Sequence, residues 1–198
     1  MTIQLNPTGN DVWRTIWPGG KFTSSRYYHH CFRNVHASSI FKWIWGSFVM
    51  LRIKVFASLM ISGRLNTRDM LRRRHCNVTN VFHCVFKSGI AYRGLNLFFH
   101  CNFSIRIWNY LQVEWQPDSN FEGVFHRTRR RFDKPFFTEV VILAAWHIWK
   151  QRNAAIFQNV MPTFRSWRGA FIHDATLHVH RVKAKRLDSF SQWIDSLL

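Results

Sequence analysis

Carboxylates are scarce in this chain. Its 198 residues hold ten Asp and Glu against 28 Lys and Arg, a formal net charge of +18. The acids are scattered as Asp11, Asp69, Glu114, Asp118, Glu122, Asp133, Glu139, Asp174, Asp188 and Asp195. Two-metal polymerase or nuclease chemistry needs clustered carboxylates, and the sequence has neither a cluster nor a Tyr-x-Asp-Asp run. Gly-x-Ser-x-Gly and phosphate-cradling glycine loops are missing too, so no nucleophile elbow or nucleotide loop is marked. The expectation is a protein without enzymatic activity.

Cysteine is also sparse. Four unevenly spaced cysteines do not read as a disulfide framework and point to a reducing compartment; the compartment itself is unknown from the sequence, the expectation being intracellular with some preference for the nucleus. Long apolar runs are absent: Ile40 to Ser62 is interrupted by Lys42, Arg52 and Lys54, which argues against a transmembrane span. Met1 to Pro18 lacks the basic start and apolar core of a signal peptide. No internal repeat is found.

What the chain has in quantity is aromatic surface and positive charge. Hydrophobic residues make up 47% and aromatics 17%, with ten Trp and 19 Phe. That is ample for a core, provided each buried indole N–H finds a partner. The positive excess points to a polyanion, since contacts to phosphates release counterions. No membrane partner is expected, because no long amphipathic basic helix stands alone.

The order of elements follows from periodicity and punctuation. Asp11 to Trp17, the Pro18-Gly19-Gly20 turn and Lys21 to Thr23 read as a short hairpin. Ser24 or Ser25 can cap a helix through Tyr27 and Tyr28, with His29, His30 and Cys31 as fillers. Leu51, Val55 and Leu59 recur at helical spacing beside Phe56 and Met60, which predicts a buried helix over about 50–62 with Gly63 at its C-cap. Asn66 with Asp69 has the form of a capping box, and Arg72, Arg73 and Arg74 fall in the last turn of the helix that follows. Residues 75–93 read as irregular. Asn102 can cap a helix carrying Ile105, Trp108 and Leu111.

Residues 117–134 read as a basic linker, from the run His126 to Arg131 and Lys134. Beyond it, Phe137, Val141, Ala144 and Ile148 mark a long helix over 135–160. Trp167, Phe171, Ala175 and His178 mark a second over 164–182, and Phe190, Trp193, Ile194 and Leu197 a short last one. His178 and His180 stand two apart and point to different faces of a helix, so with His173 they read as polar helix surface. The fold class expected is mainly α, with a short N-terminal β-hairpin. Two packed parts are expected, 11–116 and a helical tail over 135–198.

Particular blocks carry a resemblance. Gly63 to Arg73 reads Gly-Arg-Leu-Asn-Thr-Arg-Asp-Met-Leu-Arg-Arg, and Phe41-Lys42-Trp43-Ile44-Trp45 precedes it. Cys84, then Leu97-Phe98-Phe99-His100-Cys101, and finally Trp146 to Asn153 follow. In these blocks the chain resembles the zinc-binding domain that follows the reverse transcriptase in plant non-LTR (LINE-type) retrotransposons. The resemblance implies a small helical zinc-knuckle-like domain that binds RNA or DNA. Of the family's ligand positions this chain keeps Cys84 and Cys101. Lys87 stands at the second knuckle cysteine and Asn96 at the histidine, so the copy is degenerate.

An ammonium offers zinc no lone pair, and an amide oxygen is a hard donor beside thiolates. His83, His100 and Cys76 are the neighbouring residues of ligand type, yet a structural site wants four donors in a tetrahedron. No tight zinc site, and no other cofactor, is expected. Weak, sequence-independent contact with phosphates is assigned to Arg72, Arg73, Arg74, Arg129, Arg130 and Arg131. Two other readings stay open: a helical protein-interaction domain, and a decayed remnant with no retained activity.

Overall fold

The computed structural model describes residues 23–33, 38–67, 70, 74, 75, 96–116, 121–182 and 184–198. Their regular structure is helical, with no strand among them. The hairpin expected before residue 23 lies outside the described residues, as do the capping-box partner Asp69 and most of 75–93. By its contacts the chain divides into two units, Met1–Ala37 and Ser38–Leu198.

In the first unit α1 spans Ser24–Phe32. Its cap is Thr23, one residue ahead of the serines expected to serve, and its hydroxyl accepts from the Arg26 N–H at 3.2 Å. No residue of α1 is buried, so His29, His30 and Cys31 are all on the surface.

The second unit is built around one helix. In chain order its elements are α2 (Ser39–Gly46), α3 (Leu51–Ile61), α4 (Asn96–Phe99), α5 (Asn102–Tyr110), α6 (Phe121–Phe132), α7 (Phe137–Phe157), α8 (Phe164–Val179) and α9 (Ala184–Asp195). Every residue from Phe137 to Ala145 is buried. A helix that is apolar all round has to be enclosed on every side, and α2, α3, α4, α6 and α8 all contact α7. The expected face of α8 is the buried one, with Trp167, Phe171, Ala175 and His178 inside. In α9 Phe190, Trp193 and Ile194 are buried. The end of the chain returns to α5, where the Tyr110 hydroxyl donates to the Leu197 carbonyl and Arg168 Nη2 donates to it at 2.7 Å.

Rings hold the centre together. Phe56 stands 5.1 Å from Trp146 and 6.0 Å from Phe98, centroid to centroid, and Phe99 stacks on Trp108 at 5.7 Å. Two buried indoles find carbonyls, Trp108 donating to Phe98 at 2.6 Å and Trp167 to Ala144 at 3.4 Å. The Nε1 atoms of Trp115 and Trp146 have no hydrogen-bond partner among the described residues.

Three expectations are corrected here. The helix over 50–62 forms as Leu51–Ile61, but it buries Ile53, Phe56, Ala57 and Met60. Leu51, Val55 and Leu59 are exposed at 64%, 43% and 39%. Both stripes are apolar and both have helical spacing, and only the second meets the rings of α4 and α7. Gly63 does close this helix at φ +64°. The Arg64 N–H bonds to the Leu59 carbonyl and the Gly63 N–H to that of Met60, the paired bonds of a Schellman ending.

Secondly, α5 is capped by Cys101 and not by Asn102, and it buries Ile107 and Trp108 while Ile105 is 42% exposed. Thirdly, much of the stretch read as a connector is α6. Val124, Phe125, Thr128 and Phe132 are buried along one side of it, a helical repeat that the intervening arginines hide. Among the described residues no helix is long and apolar enough to cross a membrane.

Candidate nucleic-acid interface and the zinc-family segment

The helical phase of α6 sorts its cations. Phe125 and Phe132 face α7, with the Phe125 and Phe137 rings 5.1 Å apart. Glu122, His126 and Arg129 follow one another at spacings of four and three, and they face α2. Glu122 Oε1 accepts from the Ser38 hydroxyl at 2.7 Å and from the Ser39 N–H at 3.2 Å. Hydrogen bonding from Ser38, with further help from Ser39, holds the Glu122 carboxyl below its ordinary range. His126 Nε2 lies 2.9 Å from the Ser39 hydroxyl, and the Arg129 guanidinium sits over the Trp43 ring at 4.1 Å.

Arg127, Arg130 and Arg131 are exposed. They stand at i, i+3 and i+4, which is one helix face. Of the arginines expected here to meet phosphates, Arg130 and Arg131 are exposed, whereas Arg129 is half-buried against the Trp43 ring. Arg131 also donates to Gln116, whose Oε1 faces the guanidinium at 2.8 and 3.2 Å. Cations in the last turn of α6 complement its negative end, so part of their placement serves the helix itself.

The other arginine cluster is only partly visible. Arg72 and Arg73 lie outside the described residues. Arg74 is exposed, and its Nη1 donates to Asn66 Oδ1 at 3.0 Å. Asn66 is thereby engaged with an arginine, and the Thr67 hydroxyl accepts from the Met70 N–H at 3.3 Å.

At the zinc-family segment, Cys101 is 3% exposed. Its sulfur accepts from the Ser104 N–H at 3.3 Å, and the Ser104 hydroxyl lies 2.9 Å from the Cys101 carbonyl and 3.3 Å from the sulfur. His100 beside it is exposed. Cys76, His83, Cys84 and Lys87 lie outside the described residues, as does the side chain of Asn96. Among the described residues no three His, Cys, Asp or Glu side chains come together as a metal-holding group. Cys101 therefore supplies one fitting donor, and the described residues do not complete a set of four.

One buried titratable pair lies elsewhere. His147 Nε2 is 3.0 Å from Asp174 Oδ2, a close approach that falls short of hydrogen-bond geometry. Burial pushes the His147 imidazole down to about 4, with Asp174 opposing the shift. His178 is buried beside the start of α3. Its Nδ1 bonds the Asp174 carbonyl at 2.5 Å, and its Nε2 accepts from the Met50 N–H at 3.2 Å. This fixes the tautomer with the proton on Nδ1. These groups join α3, α7 and α8.

Residues 22–108 match the model of a family described as zinc-binding in reverse transcriptase. The match covers less than half of the chain and includes α1 to α4 and most of α5. No curated protein matches, and no solved structure matches.

Proposed function

We propose that this chain is a non-catalytic protein derived from a plant non-LTR (LINE-type) retrotransposon, binding RNA or DNA through phosphate contacts without reading sequence. The observation that carries the reading is the exposed Arg127, Arg130 and Arg131 face of α6, in a chain of net charge +18. The match of residues 22–108 supports the retroelement origin. In this reading the ancestral zinc position is degenerate, and the helical fold stands on its aromatic core.

The test is binding of the full chain to a labelled RNA and a labelled DNA duplex across a salt series. Affinity is expected to fall steeply with salt, and an Arg127→Ala, Arg130→Ala, Arg131→Ala variant is expected to show a slope shallower by about two to three on a log–log plot. Binding that ignores salt, or a slope unchanged in the variant, overturns the reading. The exposed stripe Leu51, Val55 and Leu59 favours a second reading, a surface for another protein. Salt-insensitive association abolished by Val55→Glu is the result that favours it.

A further inference from the structure

The far end of α2 carries an exposed ring for which the core has no use. Ile40 and Ile44 are the buried residues of α2, and Trp43 packs against Phe125 and beneath Arg129. Trp45 points elsewhere and is 50% exposed. Each of the other described tryptophans has a ring partner: Trp108 and Trp115 each other, Trp146 and Trp149 Phe56, Trp167 Phe171 and Trp193 Phe136. Among the described residues no ring contact involves Trp45.

The surroundings of Trp45 are cationic. Lys42 is exposed one turn earlier on α2, at the i, i+3 spacing that places side chains on one face. From α3, Lys54 reaches back and its Nζ donates to the Trp45 carbonyl at 3.0 Å. The first turn of α3, which includes Lys54, holds no acid. Cations at the positive end of a helix dipole are unfavourable unless an anion joins them. No carboxylate lies nearby in sequence to serve, since there is no Asp or Glu from residue 12 to residue 68.

We propose that Trp45 is a stacking platform for a base of single-stranded nucleic acid, with Lys42 and Lys54 receiving the adjoining phosphates. A half-exposed indole beside two lysines offers a base its π-face and the backbone its counter-charge. That combination is how sequence-tolerant single-strand sites are built. A duplex keeps its bases stacked on one another and does not use the platform. The inference rests on the nucleic-acid reading above and names the strandedness of the ligand.

The experiment measures binding of the full chain to poly(U), to oligo-thymidine and to a DNA duplex, each at several salt concentrations. Trp45→Ala is expected to weaken single-strand binding by about tenfold or more, leave duplex binding unchanged, and keep the salt slope. Trp45→Phe restores part of the loss. Lys42→Ala is expected to reduce the salt slope by about one phosphate. An unaltered thermal melt of Trp45→Ala shows that the loss is not unfolding. Salt-dependent binding by the parent chain that Trp45→Ala leaves intact, or weakens equally on single strands and duplex, overturns the platform and leaves the phosphate reading standing. Absence of nucleic-acid binding by the parent chain overturns both.

Discussion

The Arg129 guanidinium carbon stands 4.1 Å from the centre of the Trp43 ring, so a residue in the middle of the most basic run joins α6 to α2. Arg129→Ala is expected to destabilise the protein by about 1 kcal/mol, read from urea denaturation. It should change the salt slope of nucleic-acid binding less than Arg130→Ala does. A larger binding defect with unchanged stability would reverse these roles.

Cys101 has a structural task whether or not metal is present. Cys101→Ala removes the cap of α5 and is expected to lower stability by about 1 kcal/mol, while Cys101→Ser keeps an acceptor at the cap and loses less. Dialysis against a chelator is expected to leave the melting temperature unchanged. Stoichiometric zinc that survives dialysis and disappears in Cys84→Ser would show that a tight site exists after all.

Acid is expected to unfold the protein partly through His147. Its imidazole is held down to about 4 in the fold, against 6.5 ordinarily. Between those values the unfolded chain binds more protons than the folded one, so stability rises with pH. The contribution is complete above about pH 6.5 and is lost as the pH falls to about 4, by up to about 3 kcal/mol. The groups that act on His147 are Asp174, Lys150 and His178. Glu139 works in the opposite sense, since burial pushes its carboxyl up and its ionisation at higher pH opposes folding. A His147→Phe variant separates the two. Urea midpoints should vary less between pH 4 and 6.5 in the variant than in the parent.

The face of α3 is open to a direct comparison. Ile53 is fully buried and Val55 is 43% exposed. Ile53→Ala is expected to lower stability by about 2–5 kcal/mol, and Val55→Ala by less than about 0.5 kcal/mol. Equal losses in denaturant melts would put the helix in a different rotation.

Gly63 closes α3 at φ +64°, and a Cβ there would meet nothing within 4 Å. The effect of Gly63→Ala is therefore one of backbone conformation alone, about 1 kcal/mol of lost stability. A neutral result would mean that the turn relaxes.

The sequence alone determined the helices whose apolar residues form one face. Trp167, Phe171, Ala175 and His178 recur every three or four residues among polar neighbours, so the helix and its buried side are legible together. It also determined the cationic character, because charge is a sum over residues. The tertiary structure decided which of two apolar stripes α3 buries, since only the rings of α4 and α7 distinguish Ile53 and Phe56 from Leu51 and Val55. It decided the caps at Thr23 and Cys101, where an equally able side chain stood one or two residues further on and the path of the entering chain chose between them. It also decided how the arginines of α6 are shared between the Trp43 ring and solvent. Helical period is written into the chain, whereas the face a helix turns inward depends on neighbours brought from distant parts of the sequence.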